Sequence, residues 1–169
     1  DASYLRSASF AGMLALRDSL AWPLGFVPQE LAVCGDLDND GHNDLVIAGA
    51  QGRVAVLRSA QNTLGLLKSA QGGDAVSRIV CSDFNRDGAP DAFVMGSAGF
   101  SQLLDVKNDR LLAPARRYKR GMGSGASMAE VSAPIATDLD NDGYPEVVFL
   151  GYNSVLAIDS SGVPLSGFP

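Results

Sequence analysis

One segment recurs three times along the chain without an internal gap: VCGDLDNDGHNDLVIAG (Val33–Gly49), VCSDFNRDGAPDAFVMG (Val80–Gly96) and IATDLDNDGYPEVVFLG (Ile135–Gly151). The first aspartates of the three copies, Asp36, Asp83 and Asp138, lie 47 and 55 residues apart. Repeats of this length indicate an architecture in which one supersecondary unit is used several times. The recurring segment therefore decides the fold.

Short strand-forming runs surround each copy of the segment. Apolar runs rich in β-branched and aromatic residues follow each acidic stretch, at 45–47, 92–94 and 147–149. A second set of runs lies at 53–57, 102–106 and 155–158, and a weaker third set at 64–67, 111–115 and 163–168. The run before each acidic stretch makes a fourth. Four short strands per repeat are typical of β-propeller blades, so we expect an all-β fold of four-stranded antiparallel sheets.

The two ends of the chain resemble each other, residues 13–28 being similar to residues 155–169. We therefore expect one propeller segment, 1–169, that opens with a trailing half-repeat at 1–28 and continues with repeats at 29–75, 76–129 and 130–169. This corresponds to about three and a half blades, whereas propellers close with about four to eight. Further blades are expected from the same longer chain or from another chain.

Each copy contains a loop whose spacing suits calcium. This hard cation takes about six to eight oxygen ligands, and carboxylates at alternate positions of a tight loop converge on one centre. Counted from the first aspartate, positions 1, 3, 5 and 9 supply side chains, position 6 is a turning glycine, and position 7 supplies a carbonyl. The expected ligands are Asp36, Asp38, Asp40, His42 (carbonyl) and Asp44; Asp83, Asn85, Asp87, Ala89 (carbonyl) and Asp91; Asp138, Asp140, Asp142, Tyr144 (carbonyl) and Glu146.

Two other interpretations of the loops fit the sequence less well. Asx-rich turns alone do not need four carboxylates within nine residues, which would repel one another without a cation. An EF-hand needs a glutamate at position 12, where this chain has Ile47, Val94 and Phe149, and flanking helices, where it has strand formers. Among the three calcium sites, the one at Asp83 is predicted to be the weakest. Its loop replaces a carboxylate by Asn85 and brings in the positive charge of Arg86.

The segments DLDNDGHNDLVIAG, DFNRDGAPDAFVMG and DLDNDGYPEVVFLG resemble the FG-GAP/VCBS repeats of integrin α-subunit propellers and of many bacterial secreted proteins. The resemblance implies a seven-bladed β-propeller. It also implies that calcium lies in the loops that join the first two strands of a blade.

Two cysteines, one histidine and one basic cluster have structural interpretations. Cys34 and Cys81 occupy equivalent positions in successive repeats, which are usually far apart, so we expect two buried free thiols. His42, the single histidine, is expected to point its imidazole to solvent, because the loop uses only its carbonyl. The basic cluster Arg116–Arg120 is interpreted as a solvated loop or edge strand, with docking to an acidic partner as the alternative.

The charge distribution limits the classes of function that the sequence allows. Eleven of the 19 acidic residues lie in the three loops, so the net charge of −6 reflects metal ligands more than an acidic surface. No basic surface for nucleic acid and no membrane-inserting segment is expected. We expect a non-catalytic calcium-binding module that mediates protein or glycan binding, or adhesion, in an extracellular, periplasmic or cell-surface setting. The alternatives are a structural subunit whose ring a partner chain completes, and the non-catalytic part of a polysaccharide-acting enzyme.

Overall fold

The computed structural model describes residues 4–6, 21–58, 63–66, 76–96, 99–118, 133–150 and 155–167. In these ranges the chain forms β-strands and one 3-10 turn, Ala50–Gly52, with no α-helix, which confirms the all-β fold class. None of the described segments forms a helix long and apolar enough to cross a membrane. The strands are β1 Tyr4–Arg6, β2 Ala21–Pro23, β3 Pro28–Gly35, β4 Asp44–Gly49, β5 Val54–Arg58, β6 Thr63–Leu66, β7 Val76–Ser82, β8 Asp91–Gly96, β9 Phe100–Asp105, β10 Arg110–Arg117, β11 Ile135–Thr137, β12 Glu146–Leu150 and β13 Val155–Ile158.

The strands form three main antiparallel sheets in which every strand pairs with its neighbours in sequence. The first sheet contains β3 to β6, the second β7 to β10 and the third β11 to β13, while β1 and β2 form a separate pair. The weak run expected at 163–168 meets the third sheet at an isolated bridge between Ile158 and Pro164. The predicted four-strand pattern is therefore complete in the first two sheets.

The sheets pack face to face in chain order because each strand alternates its side chains between two apolar faces. In β4, Val46 and Ala48 pack in a buried cluster with Val94 and Leu104 of the second sheet. Phe93 and Met95 are the equivalent residues of β8. They lie on the face of β8 opposite to Val94 and pack against the third sheet. The Phe93 ring stacks on that of Phe149 with centroids 6.2 Å apart. Each repeat therefore buries one face against the next.

The expectation of two free thiols is wrong. Cys34 of β3 and Cys81 of β7 form a disulfide that joins the first strands of two successive sheets, with Cα atoms 5.3 Å apart. This distance lies inside the range that a disulfide can span.

A β-bulge brings these equivalent residues face to face. In β7, Cys81 pairs directly with Ala92 and points back toward the first sheet. In β3 the register shifts between Val33 and Gly35, so that Cys34 becomes the extra residue and turns toward the second sheet. Gly35 adopts a φ of +80°, a conformation that favours glycine at a bulge. A repeat without the bulge would have pointed both thiols in the same direction.

Candidate metal centre

The three acidic loops have the same position and the same backbone shape. They connect the first strand of each main sheet to the second, at residues 36–43, 83–90 and 138–145. The glycines at position 6 have φ angles of +89°, +85° and +89°, as the motif predicts. Position 4 is also left-handed: Asn39, Arg86 and Asn141 all have a φ of 60°. Asparagine tolerates this conformation well, so the asparagines at position 4 of the first and third loops are a second sequence signal for the same turn.

The first aspartate of each loop accepts hydrogen bonds from the backbone that curls around it. Asp36 accepts the N–H groups of Asp40 at 2.9 Å and Gly41 at 2.8 Å. In the second loop, the N–H groups of Asp87 and Gly88 donate to Asp83, both at 3.0 Å. In the third, Gly143 donates to Asp138 at 3.0 Å. These bonds hold a carboxylate at the start of each loop.

The carboxylate at position 9 lies buried beneath each loop. Asp44, Asp91 and Glu146 are at most 2% exposed. Each accepts the N–H of position 2, over 3.1 Å from Leu37, 3.0 Å from Phe84 and 2.7 Å from Leu139. The residue that begins the second strand is thereby bonded to the entry of the loop.

Carboxylate oxygens converge in two of the three loops. Asp36, Asp38 and Asp40 of the first loop place ligand atoms within 4.8 Å of one another, as do Asp138, Asp140 and Glu146 of the third. All of these atoms are hard oxygen donors, which suit calcium or another hard divalent cation. The residues present therefore fit the cation that the repeat implies.

The remaining expected ligands lie in the same loops but outside the two groups. Asp44 is bonded to Leu37, and Asp142 accepts the N–H of Tyr144 at 2.8 Å. At position 7, His42 and Ala89 donate their N–H groups to the aspartate at position 5, both at 3.0 Å. The His42 side chain is 64% exposed, which confirms that its imidazole faces solvent.

The environment of several loop carboxylates opposes their ionisation. Burial raises the pKa of Asp38, and the nearby carboxylates of Asp40 and Asp44 raise it further, against the lowering effect of Arg58. Burial likewise raises the pKa of Glu146, and the three other acids of its loop add to the effect despite the N–H of Leu139. A bound divalent cation favours the ionised form and relieves this cost.

One carboxylate behaves in the opposite way. Burial tends to raise the pKa of Asp36, but hydrogen bonds from the N–H groups of Gly41 and Asp40 outweigh it and lower the pKa below the ordinary value. Asp36 is therefore held as an anion by the loop itself.

The middle loop differs from its neighbours, since no converging group of acidic side chains is found there among the described residues. Burial, and then the nearby carboxylate of Asp105, raise the pKa of Asp91 to about 7. Arg86, expected to bring its charge into this loop, instead stacks over the ring of Tyr144 in the third loop, 5.1 Å from the centroid. A Cβ atom on Gly143 would lie only 2.6 Å from Nη1 of Arg86, so this glycine also makes room for the guanidinium.

The basic cluster at 116–120 is only partly within the described residues, which end at 118 in this part of the chain. The Tyr118 hydroxyl donates to the carbonyl of Gly162 at 2.8 Å. Its ring packs edge-on against Phe149, with centroids 5.6 Å apart. Tyr118 is therefore a packing residue between the second and third sheets.

Comparisons with known proteins agree with the repeat and the fold. Residues 36–94, which include the first two loops, match the FG-GAP-like repeat family. No curated protein matches the chain. The crystal structure of the Vibrio cholerae biofilm matrix protein Bap1 is similar, with a TM-score of 0.52 and 19% sequence identity.

The similarity to Bap1 covers 89% of this chain but only 22% of the Bap1 chain, so the present chain spans about a fifth of that protein. At this level of identity the match concerns the fold alone. The family match confirms the resemblance first indicated by the acidic loops: residues 36–94 form an FG-GAP-like repeat.

Proposed function

We propose that the chain is a calcium-binding segment of a β-propeller that acts as a non-catalytic binding module outside the cytoplasm. The observation that carries this proposal is the convergence of three acidic side chains in each of two loops at the same corner of repeated sheets. The FG-GAP-like repeat over residues 36–94 supports calcium as the cation. The proposed ligands in all three loops are those named from the sequence.

Calcium would stabilise each sheet by binding the folded loop and not the unfolded chain. A site with a Kd of about 0.1 mM gains about 2 kcal/mol of folding free energy at ~2 mM calcium. Two such sites raise the melting temperature of a chain of this size by about 10 °C. The stabilisation by calcium depends on the carboxylates of each loop, so substitution of the carboxylates in one loop should remove the contribution of that site alone.

Calorimetric titration and thermal unfolding test this proposal. Calcium should bind and raise the melting temperature, chelator should reverse the effect, and magnesium should act weakly because it demands stricter octahedral geometry. Asp38→Asn and Asp140→Asn should each remove one binding event. Glu30→Gln, which removes a carboxylate paired with Arg78 away from the loops, serves as the control. Absence of calcium binding in the wild type would overturn the proposal.

An uncovered apolar face on the third sheet supports a propeller larger than this chain. Val148 and Leu150 occupy the positions of Phe93 and Met95 in the preceding repeat. Met95 is 1% exposed beneath the third sheet, whereas Leu150 is 45% exposed and the neighbouring Ile135 57% exposed. We propose that a further sheet of the same kind covers this face, and that the chain divides into the half-repeat and three repeats expected from the sequence.

A structural subunit whose ring is completed by a partner chain is the alternative that the same face favours. Light scattering separates the two cases. A cooperative, monomeric chain in solution would argue against an obligate partner chain, and a stable complex of defined mass would argue for one.

Three described acidic residues outside the loops have structural partners, which supports a non-catalytic role. Glu30 lies 3.8 Å from Arg78, and Asp105 accepts a 2.7 Å hydrogen bond from Arg110. Asp159 accepts the N–H groups of Ser161 and Val163 at the start of its own turn. General acid–base catalysis needs a pair of such groups free to reach a substrate. Turnover of a uronic-acid polymer by this chain would overturn the non-catalytic role, whereas the alternative of a non-catalytic part of a polysaccharide-acting enzyme predicts binding of such a polymer without turnover.

The disulfide between Cys34 and Cys81 supports an extracellular, periplasmic or cell-surface setting, since disulfides persist in oxidising compartments. Bap1, with its similar fold, is a biofilm matrix protein. We propose a corresponding role here, in protein or glycan binding or adhesion. A glycan array probed with calcium and then with chelator tests it. Calcium-dependent binding is the expected result.

A further inference from the structure

The turn between β9 and β10 lies against the middle acidic loop. The ammonium group of Lys107 is 3.8 Å from Oδ1 of Asp87 and donates a hydrogen bond to the Asp87 carbonyl at 3.3 Å. The side-chain amide of Asn108 approaches the other oxygen, Oδ2, of the same carboxylate at 3.5 Å. Both oxygens of a proposed calcium ligand therefore face nitrogen donors from another part of the chain.

A buried carboxylate holds this turn in place. Asp105, fully buried at the end of β9, accepts hydrogen bonds from the backbone N–H of Asn108 at 3.0 Å and from its side-chain amide at 2.9 Å. It also accepts Nε of Arg110 at 2.7 Å. Although burial opposes it, these donors lower the pKa of Asp105. Lys107 and Asn108 are therefore positioned over the loop by the fold.

A third donor comes from inside the loop. Oδ1 of Asn85 accepts the N–H of Asp87 at 2.8 Å, which turns the amide nitrogen toward the acids. That nitrogen lies 3.4 Å from Oδ2 of Asp87 and 3.5 Å from Oδ1 of Asp91. The nitrogen donors therefore contact the same carboxylate oxygens that a calcium ion would need to bind.

The other two loops keep their acidic groups converging. In the first loop, Arg58 contacts Oδ2 of Asp38 at 3.3 Å, and three carboxylates still meet within 4.8 Å. In the third loop, the nearby guanidinium of Arg86 lies over the Tyr144 ring. Direct engagement of an aspartate at position 5 by a lysine is found, within the described residues, only in the middle loop.

We propose that Lys107, aided by Asn108, is a built-in counter-ion of the middle loop that closes it without metal and sets its low calcium affinity. The proposal rests on calcium binding as the proposed function and adds the residue that makes one site unlike the others. Calcium must displace Lys107 before both Asp87 oxygens become available. The same contact stabilises the loop when calcium is absent.

An NMR titration with calcium chloride reads the three loops separately. The N–H groups of Gly41, Gly88 and Gly143 each donate to the first aspartate of their own loop, so their amide signals report each site. Lys107→Met should tighten binding reported by Gly88 by on the order of tenfold, since it removes a positive charge close to the cation. The other two glycines should report unchanged affinities.

Control variants separate charge from structure. Lys107→Arg should keep the weak site, and Arg116→Gln, which removes an exposed charge on β10, should leave Gly88 unaffected. Lys107→Met should also lower the melting temperature in chelator while binding calcium more tightly, a combination that simple loss of packing does not give. Asn108→Ala should act in the same direction.

The outcomes also distinguish this inference from the proposed function. If Gly41 and Gly143 report calcium binding but Lys107→Met leaves the affinity at Gly88 unchanged, the counter-ion role is refuted and the calcium function stands. If none of the three glycines responds to calcium, the calcium function itself fails.

Discussion

Reduction of the Cys34–Cys81 disulfide should strongly destabilise the chain. The bond closes a segment whose ends are 47 residues apart in sequence. The loss of chain entropy in the unfolded state for a loop of this length corresponds to about 4 kcal/mol at 25 °C. Residual structure in the unfolded chain reduces this value, so we expect a loss of about 3 kcal/mol in the free energy of unfolding.

Urea denaturation followed by circular dichroism measures this loss. With a urea m-value of about 2 kcal/mol/M, the midpoint should fall by ~1.5 M on reduction. The experiment is run at constant millimolar calcium, so that metal binding does not change between the two states. Cys34→Ala/Cys81→Ala, measured under both conditions, shows any effect of the reductant itself and should behave like the reduced wild type. Alkylation of both thiols in the native, non-reduced protein, or an unchanged midpoint, would refute the reasoning.

Three further changes test other contacts. Gly35→Ser should destabilise the oxidised protein by about 1–2 kcal/mol, because serine is strained at a φ of +80°. The loss should be smaller in the reduced protein, because β3 can lose the bulge once the disulfide is broken. Equal shifts of the urea midpoint in the two forms would contradict this. Arg86→Ala should cost about 0.5–1 kcal/mol, and a double-mutant cycle with Tyr144→Leu should return a coupling of that size, whereas additive effects would exclude the contact. Tyr118→Phe should cost about 1 kcal/mol at pH 7 by removing a partly buried hydrogen bond. Burial raises the Tyr118 pKa, so the unfolded state ionises first as pH rises above 10.0 and the wild type loses this stability, which Tyr118→Phe does not have. The difference in free energy of unfolding between the two proteins should therefore narrow in alkaline urea titrations. A difference that does not narrow would show that the pKa is not raised.

The repeat made the fold class and the loop positions predictable. Short continuous apolar runs rich in β-branched and aromatic residues predicted β4, β8 and β12, because a strand is recognisable from a few neighbouring residues. The spacing of Asp36, Asp38 and Asp40 likewise predicted that their carboxylates would converge, since a tight loop leaves them few other directions. Both signals lie within a few residues of sequence.

What could not be predicted depends on contacts between repeats or on one altered pairing. The disulfide needed a bulge beside Gly35, where the second repeat has Ser82, and a single glycine does not reveal a shift in register. The sequence predicts that Arg86 brings its charge into its own loop, but its long side chain reaches Tyr144 of the third loop. Lys107 approaches Asp87 from a turn 20 residues away, and no local pattern indicates this contact.

The order of the strands has a consequence for how the chain is made. In all three main sheets each strand pairs with the one before or after it, so no pairing waits for a distant segment. Local pairing of this kind forms quickly, and each sheet can assemble while the ribosome is still adding the next. The contacts between sheets, which connect residues far apart in sequence, are then the late events of folding. Errors in assembly should therefore leave well-formed sheets that are stacked incorrectly.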